Sequence, residues 1–202
     1  MILNGILFFL FLAMLGLTMR DGLWTNTLRL VNLLLAGLLA SSLGPWVGSL
    51  LRGSLTQQGF YLNFLGMWII FFFFISLLRE LTKRLSTVKV KFHKLVNQIG
   101  GYVAAVLVAF FFLGFAMHTI HQAPLSKNCF RGGFDYQSRM FFGLAPDRTW
   151  EGFLSLVGGK TGALAGSTEF NGEDYRKNSA KGRQEFETIL SSGGRADLSK
   201  YK

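Results

Sequence analysis

The chain has little acidic charge and a single cysteine. It contains 11 Asp and Glu residues against 21 Lys and Arg residues. Cys129 has no second cysteine with which to form an intramolecular disulfide, so cysteine usage does not identify the compartment. No serine lies in a nucleophile elbow, and no pair of carboxylates lies in an apolar setting. The acidic residues that follow residue 126 are scattered and are predicted to be solvated, so the sequence predicts neither an enzyme nor a bound cofactor.

Two short motifs resemble ligand sites but lack essential residues. Gly159-Lys160-Thr161 matches the end of a phosphate-binding loop, but Leu154 replaces the glycine that such a loop needs five positions earlier. His118 and His121 lie one helical turn apart, and Cys129 follows them. Two such histidines can share a metal ion, yet no third and fourth ligands occur at a recognisable spacing. The sequence therefore predicts no metal site, and interfacial histidines at the end of a helix are the better interpretation.

Long runs without charge indicate a membrane protein. The clearest is the run from Phe60 to Leu78, which can cross a hydrocarbon core roughly 30 Å thick because a helix rises about 1.5 Å per residue. The mean hydropathy of the chain is +0.35. A soluble domain has too little polar surface to cover four such runs. We predict an all-α membrane protein whose residues 1–121 form four transmembrane helices, at about 2–19, 30–51, 60–78 and 96–120.

Small residues recur at intervals of four in the second and fourth apolar segments. This spacing places them on one face of each helix, where another backbone can approach closely. Pro45 is predicted to kink the second helix or to end its regular part. A permeation path lined by small residues is the alternative interpretation, but helix packing is favoured. The predicted packing residues are Ala36, Ala40, Gly44 and Gly48 in the second segment, and Gly101, Ala105 and Ala109 in the fourth.

After His121 the composition becomes polar and rich in glycine, so residues 122–202 are predicted to form an extramembrane C-terminal tail. Four apolar residues of the tail occur at positions i, i+3, i+4 and i+7, which predicts a short amphipathic helix. They are Trp150, Phe153, Leu154 and Val157. This helix is expected to pack on the membrane surface or on a partner. A second, weaker helix is predicted from about 184 to 190, and the last dozen residues are predicted to be disordered.

A cluster of basic residues follows the third apolar segment and sets the expected orientation. Lys and Arg close to membrane segments are retained on the cytoplasmic side. With four crossings, the N- and C-termini then both lie outside the cytoplasm. The cluster is expected to contact anionic headgroups of the lipid bilayer, and not nucleic acid, because few aromatic residues lie among the charges. It consists of Arg79, Lys83, Arg84, Lys89, Lys91 and Lys94.

The layout of the first 120 residues resembles that of a known family. Arg20-Asp21-Gly22 forms a turn that leads into the small-residue helix, and the basic loop is followed by Asn97-Gln98-Ile99-Gly100-Gly101-Tyr102-Val103. Four helices in this order, followed by a variable tail, are similar to the colicin V production protein (CvpA) family of small bacterial inner-membrane proteins. That family usually carries an acidic residue near the start of the first helix and often an Asp opening the fourth. In this chain Asn4 and Asn97 stand at about these places.

The resemblance implies an integral protein of the bacterial inner membrane. It further implies an accessory factor in toxin (bacteriocin) production or export and in envelope physiology. A homo-oligomer, or a complex with other membrane proteins formed through the small-residue faces, is the expected assembly. Two alternatives stay open. One is a small oligomeric transporter or channel, and the other is a membrane scaffold whose tail binds an envelope partner.

Overall fold

In a computed structural model of the chain, the residues that the structure describes form six α-helices. The structure describes residues 2–52, 59–86, 92–123, 125, 139–158 and 170–191. The predicted all-α class is confirmed for these ranges, which contain no strand. The helices are α1 (Ile2–Thr18), α2 (Leu23–Arg52), α3 (Gly59–Leu85), α4 (Lys94–Ile120), α5 (Pro146–Gly158) and α6 (Gly172–Ser191).

Three of these helices are long and apolar enough to cross a membrane, and α1 is a shorter apolar helix. Large apolar side chains cover their outward faces: Phe9 of α1 is 72% exposed, Phe73 of α3 is 61% exposed and Ile99 of α4 is 63% exposed. Soluble proteins rarely expose apolar surface on this scale, whereas lipid covers it without cost. The chain is therefore a multi-pass membrane protein. The three long spans are Leu23–Leu50, Leu62–Leu85 and Lys94–Ile120.

The helices extend beyond the charge-free runs that predicted them. α2 begins at Leu23 rather than near residue 30, because the polar residues of its first turns are bonded inside the bundle. α3 continues to Leu85, since its last basic side chains point outward into solvent. Pro45 does not end α2, which runs on to Arg52. A proline is tolerated inside a membrane helix where neighbouring helices support the backbone around it, and α3 packs against α2 beside Gly44.

α2 and α3 form an antiparallel pair with the most extensive helix contact in the described part of the chain. Near one end of the pair, Gly48 of α2 lies against Asn63 of α3. Near the other end, the indole Nε1 of Trp24 donates a hydrogen bond to Ser86 Oγ over 3.1 Å. The two helices thus stay in contact over most of their length.

α4 lies on another side of α2 and runs parallel to it. Leu23 at the start of α2 contacts Gly100 near the start of α4, and Gly37 in the middle of α2 approaches Phe115 near the end of α4. α1 runs antiparallel to α4, because the first half of α1 packs against the last two turns of α4. The residues that meet there are Leu3, Leu7, Leu113 and Met117.

The small residues of α2 and α4 lie in helix contacts within the chain. A Cβ atom added to Gly44 would lie 2.8 Å from Met67 Cα, and one added to Gly48 would lie 2.9 Å from Asn63 Cα. Gly101 approaches the turn between α1 and α2. The alanines Ala36, Ala40, Ala105 and Ala109 have no exposed surface. These faces are taken up by neighbouring helices of the same protomer, so a second copy of the chain would need another surface.

Asparagine side chains join the helix ends at the end of the bundle where α2 and α4 begin. Asn97 Oδ1 accepts a hydrogen bond from the Leu23 backbone N–H over 3.0 Å, which caps the start of α2. Asn26 is fully buried, and its Nδ2 donates over 3.0 Å to Thr18 O and over 3.0 Å to Gly101 O. These bonds join α1, α2 and α4 at one end of the bundle.

Charged residues gather at that same end. Asp21 and Arg29 form an ion pair. Arg79, Lys83 and Arg84 lie exposed in the last turns of α3, and Lys94 is exposed at the start of α4. Lys89 and Lys91 of the predicted cluster lie outside the described residues.

α5 packs into the helix bundle. Trp150 is fully buried, its ring centroid lies 5.5 Å from that of Phe115, and its Nε1 donates to Ser41 Oγ over 3.4 Å. Pro146 O lies against Gly114, which precedes the end of α4 by about 9 Å of helix rise. The expectation that this helix packs on the membrane surface or on a partner is therefore wrong, and its apolar face completes the core between α2 and α4.

A tight turn ahead of α5 directs the chain into the bundle. Phe141, Phe142 and Ala145 have φ angles of 54°, 54° and 46°, a left-handed conformation that bulky residues rarely adopt. The backbone N–H of Phe141 donates to Asn4 Oδ1 over 3.0 Å, which ties the turn to α1. Within residues 122–202, which were predicted to form an extramembrane tail, this turn and α5 pack against α1, α2 and α4.

Candidate functional site

The polar face of α5 carries two buried carboxylates at the end of α4. Asp147 and Glu151 are one turn apart in α5 and are 1% and 3% exposed. Trp150 holds this orientation because it lies beside the two carboxylates on α5 and anchors the helix in the bundle. The prediction that the acidic residues of the tail are solvated is wrong for these two, which lie beside the two histidines at the end of α4.

His121 and Asp147 form a buried hydrogen-bonded pair. His121 Nε2 lies 3.2 Å from Asp147 Oδ2, and both residues are almost fully buried. Burial lowers the pKa of the His121 imidazole, because the charged form would lose its hydration, although Asp147 opposes this effect. Burial alone would raise the pKa of Asp147, but its interactions with His121, with the Arg148 backbone N–H and with Arg176 together outweigh burial, so the pKa lies below its usual value. A neutral imidazole that donates Nε2–H to an ionised carboxylate fits both directions.

His118 and Glu151 face each other one helical turn deeper. The atoms His118 Nδ1 and Glu151 Oε1 lie 4.0 Å apart. The ring of Tyr175 in α6 stacks on His118 with a centroid separation of 4.3 Å and an angle of 16°, and its hydroxyl donates to His118 O over 3.0 Å. Burial raises the pKa of Tyr175, so this hydroxyl stays protonated. The imidazole of His118 is therefore held in one orientation towards Glu151.

α6 covers the cluster with positive charge. Arg176 forms an ion pair with Glu151 through Oε2, and Arg183 Nη1 donates to His121 O over 3.4 Å. α6 begins at Gly172, so it is longer than the helix predicted from about 184 to 190. The missed turns contain Tyr175, Arg176 and Arg183, which contact the site.

The four site residues differ in how well the sequence indicated them. The sequence pattern marks His118 and His121 as a possible ligand pair. It does not predict a metal site, because no third and fourth ligands occur at a recognisable spacing. Asp147 and Glu151 lie at the start of the predicted amphipathic helix, and no sequence motif marks them as ligands. The signal available was their i, i+4 spacing, which places both carboxylates on one stripe of α5 beside Trp150. That pattern alone is also typical of a solvated helix face, so only the packing of α5 reveals the cluster. Cys129 lies outside the described residues.

The cluster has the composition of a metal-binding site. His121, Asp147 and Glu151 each offer a ligand atom, and these atoms lie within 4.8 Å of one another. His118 adds a second imidazole beside Glu151. Imidazole and carboxylate are common ligands of divalent transition metals.

Comparison with known proteins gives one match. A family model described as Colicin V production protein matches residues 3–137, which is more than half of the chain. The matched range covers α1 to α4 and ends before α5. No curated protein and no solved structure matches the chain.

Proposed function

The chain belongs to the colicin V production protein family, and from this premise we propose that it is an accessory membrane factor in bacteriocin production or export and in envelope physiology. The match over residues 3–137 is the observation that carries the proposal. The helical membrane architecture agrees with such a role, because a factor of this kind acts within the envelope.

We further propose that α1 to α4 each cross the bacterial inner membrane. α1 is an apolar helix that packs antiparallel to α4 along the bundle. The exposed basic residues at the ends of α3 and α4 favour a cytoplasmic location for that end. In this orientation the outer side of the membrane carries the N-terminus, helix α6, and the two buried carboxylates of α5. The basic end also carries a recess lined by Arg20 and Lys94, which suits the anionic headgroup of a lipid.

Two asparagines stand about where this family carries acidic residues. Asn4 accepts a hydrogen bond from the Phe141 backbone N–H, and Asn97 accepts one from the Leu23 backbone N–H. A carboxylate and a carboxamide both offer an acceptor oxygen at this position. The side chains at these two positions can therefore join one segment to another without the negative charge that is usual in the family. This supports the proposal that the chain keeps the family's helix arrangement.

Assembly with other membrane proteins remains part of the proposal, but the small-residue faces do not supply the surface. The lipid-facing side of α1 is a better candidate, because Gly5 and Gly16 there have nothing within 4 Å of an added Cβ atom. Small residues on an open helix face allow the close approach of a second helix. A homo-oligomer or a complex with another membrane protein would use the same face.

The proposed role is tested by complementation in a bacteriocin-producing bacterium that lacks its own family member. Toxin activity in the culture medium and toxin retained in the cells are measured separately. We expect this chain to restore the secreted activity severalfold and the Leu156→Ala variant to do the same. Trp150→Ala, which removes the anchor of α5, is expected to restore much less. Secretion that does not depend on the chain at all would contradict the role.

The buried ionisable cluster favours one second candidate, a small oligomeric transporter or channel. Ionisable residues at membrane depth often mark ion or substrate pathways. Flux of ions or solutes through liposomes that contain the purified protein would distinguish this candidate from an accessory factor, for which no flux is expected.

A further inference from the structure

We propose that His118, His121, Asp147 and Glu151 form a binding site for a divalent transition-metal ion, with Zn²⁺ as the best fit. The proposal is independent of the role in bacteriocin production. It rests on three features of the cluster: the separation of its ligand atoms, the lack of hydrogen-bond partners for several of them, and their chemistry.

The separations suit a single ion. Bonds from zinc to nitrogen or oxygen are about 2.0–2.2 Å long, so two ligand atoms of one ion lie up to roughly 4.2 Å apart. His121 Nε2 and Asp147 Oδ2 are 3.2 Å apart, and His118 Nδ1 and Glu151 Oε1 are 4.0 Å apart. The 4.8 Å limit that encloses the ligand atoms of His121, Asp147 and Glu151 exceeds this range slightly. His118 is not part of that group, so binding by all four ligands requires their side chains to move inwards around the ion.

Three ligand atoms of the cluster are buried without a hydrogen-bond partner among the described residues. They are His118 Nδ1, Asp147 Oδ1 and Glu151 Oε1. Most buried polar atoms in proteins have a partner, and each exception needs an explanation. Here the three atoms belong to neighbouring side chains in one cluster. A metal ion bound by these side chains would offer a partner to the atoms that lack one.

The chemistry of the four ligands selects the class of ion. Two imidazoles and two carboxylates suit Zn²⁺ and related first-row ions, whereas copper(I) prefers thiolates and thioethers. The two carboxylates neutralise the charge of a divalent ion. Arg176 occupies Oε2 of Glu151 and leaves Oε1 for the ion, and the stacked Tyr175 fixes the ring of His118. Outer partners of this kind commonly orient the ligands of a metal site.

Metal binding is tested on the full-length protein in detergent, purified with an affinity tag that contains no histidine and carrying Cys129→Ser to remove the thiol. Co²⁺ is titrated and followed by visible absorption, and Zn²⁺ is then added to displace it. We expect one ion per chain. Because loss of an outer partner alone weakens metal sites by about 10–100-fold, loss of a ligand in His121→Gln or Glu151→Gln should weaken binding by at least ~100-fold.

His93→Gln is the matched control, because His93 is an exposed histidine at the opposite end of α4. It should bind Co²⁺ as the unaltered protein does. Arg176→Met provides a readout that does not depend on the ligand variants folding. This substitution leaves the buried carboxylate of Glu151 without its ion pair. Bound Zn²⁺ would compensate the charge of that carboxylate, so Zn²⁺ should raise the thermal unfolding midpoint of the Arg176→Met variant. The proposal would be overturned if the unaltered protein bound neither Co²⁺ nor Zn²⁺ stoichiometrically. It would also be overturned if His121→Gln and Glu151→Gln bound the metal as tightly as the unaltered protein does.

Discussion

Replacement of Trp150 by alanine is expected to detach α5 from the bundle. Trp150 is fully buried against Phe115 and Phe153, and its Nε1 donates to Ser41. Truncation of a buried tryptophan typically lowers the free energy of unfolding by roughly 3–5 kcal/mol, because packing is lost and a cavity remains. Detachment would also carry Asp147 and Glu151 away from the end of α4. The measurement is thermal unfolding in detergent, combined with limited proteolysis of the α5 region.

The control for this variant is Leu156→Ala on the same helix. Leu156 is 75% exposed, so its truncation should change the free energy of unfolding by no more than about 0.5 kcal/mol. A protein that keeps its stability and its protease resistance without the Trp150 ring would show that α5 is not anchored in the bundle.

Replacement of Gly44 by leucine is expected to separate α2 from α3. A Cβ atom at residue 44 would lie 2.8 Å from Met67 Cα and 3.0 Å from Met67 N, so backbone and not only a flexible side chain must move. Overpacking commonly costs roughly 1–3 kcal/mol and occasionally more, and a backbone clash belongs at the upper end of this range. The expected result is a loss of correctly folded protein, measured as the monodisperse fraction in size-exclusion chromatography and as a lower unfolding midpoint.

Gly152→Leu is the matched control, because it introduces the same side chain into an exposed position of α5 where nothing lies within 4 Å of an added Cβ atom. It should leave folding and yield close to those of the unaltered protein. A folded Gly44→Leu protomer whose only change is the size of the assembled complex would contradict the packing described here. That outcome would instead place Gly44 at a contact between copies of the chain.

The sequence predicts the apolar helices well, because a charge-free run and a crossing helix have the same cause, which is the apolar membrane core. It predicts the ends of the helices less well. α2 begins at Leu23 because Asn97 caps it and Asn26 is bonded inside the bundle, and both bonds join residues that lie far apart in the chain. The i, i+3, i+4, i+7 spacing from Trp150 correctly identifies α5 and its apolar face.

The site itself could not be predicted from spacing. His118 and His121 precede Asp147 and Glu151 by about thirty residues of polar chain, so no local pattern links them. An acidic pair on one helix face is normally solvated, and its burial here depends on Trp150 entering the space beside Gly37 on α2. The sequence contains the two histidines and the two carboxylates, but the contact between them follows only from the tertiary structure.

The most direct test of the central claim, that α5 is built into the bundle, is a double-mutant cycle between Gly37 and Trp150. A Cβ atom at Gly37 would lie 2.7 Å from Trp150 Cζ2, so Gly37→Ala should destabilise the protein. In a Trp150→Leu background the ring is gone, and the same alanine should cost little. Residues in contact typically show coupling energies of about 0.5–3 kcal/mol. Unfolding free energies for the four proteins should reveal such a coupling, whereas strictly additive effects would mean that α5 does not contact α2.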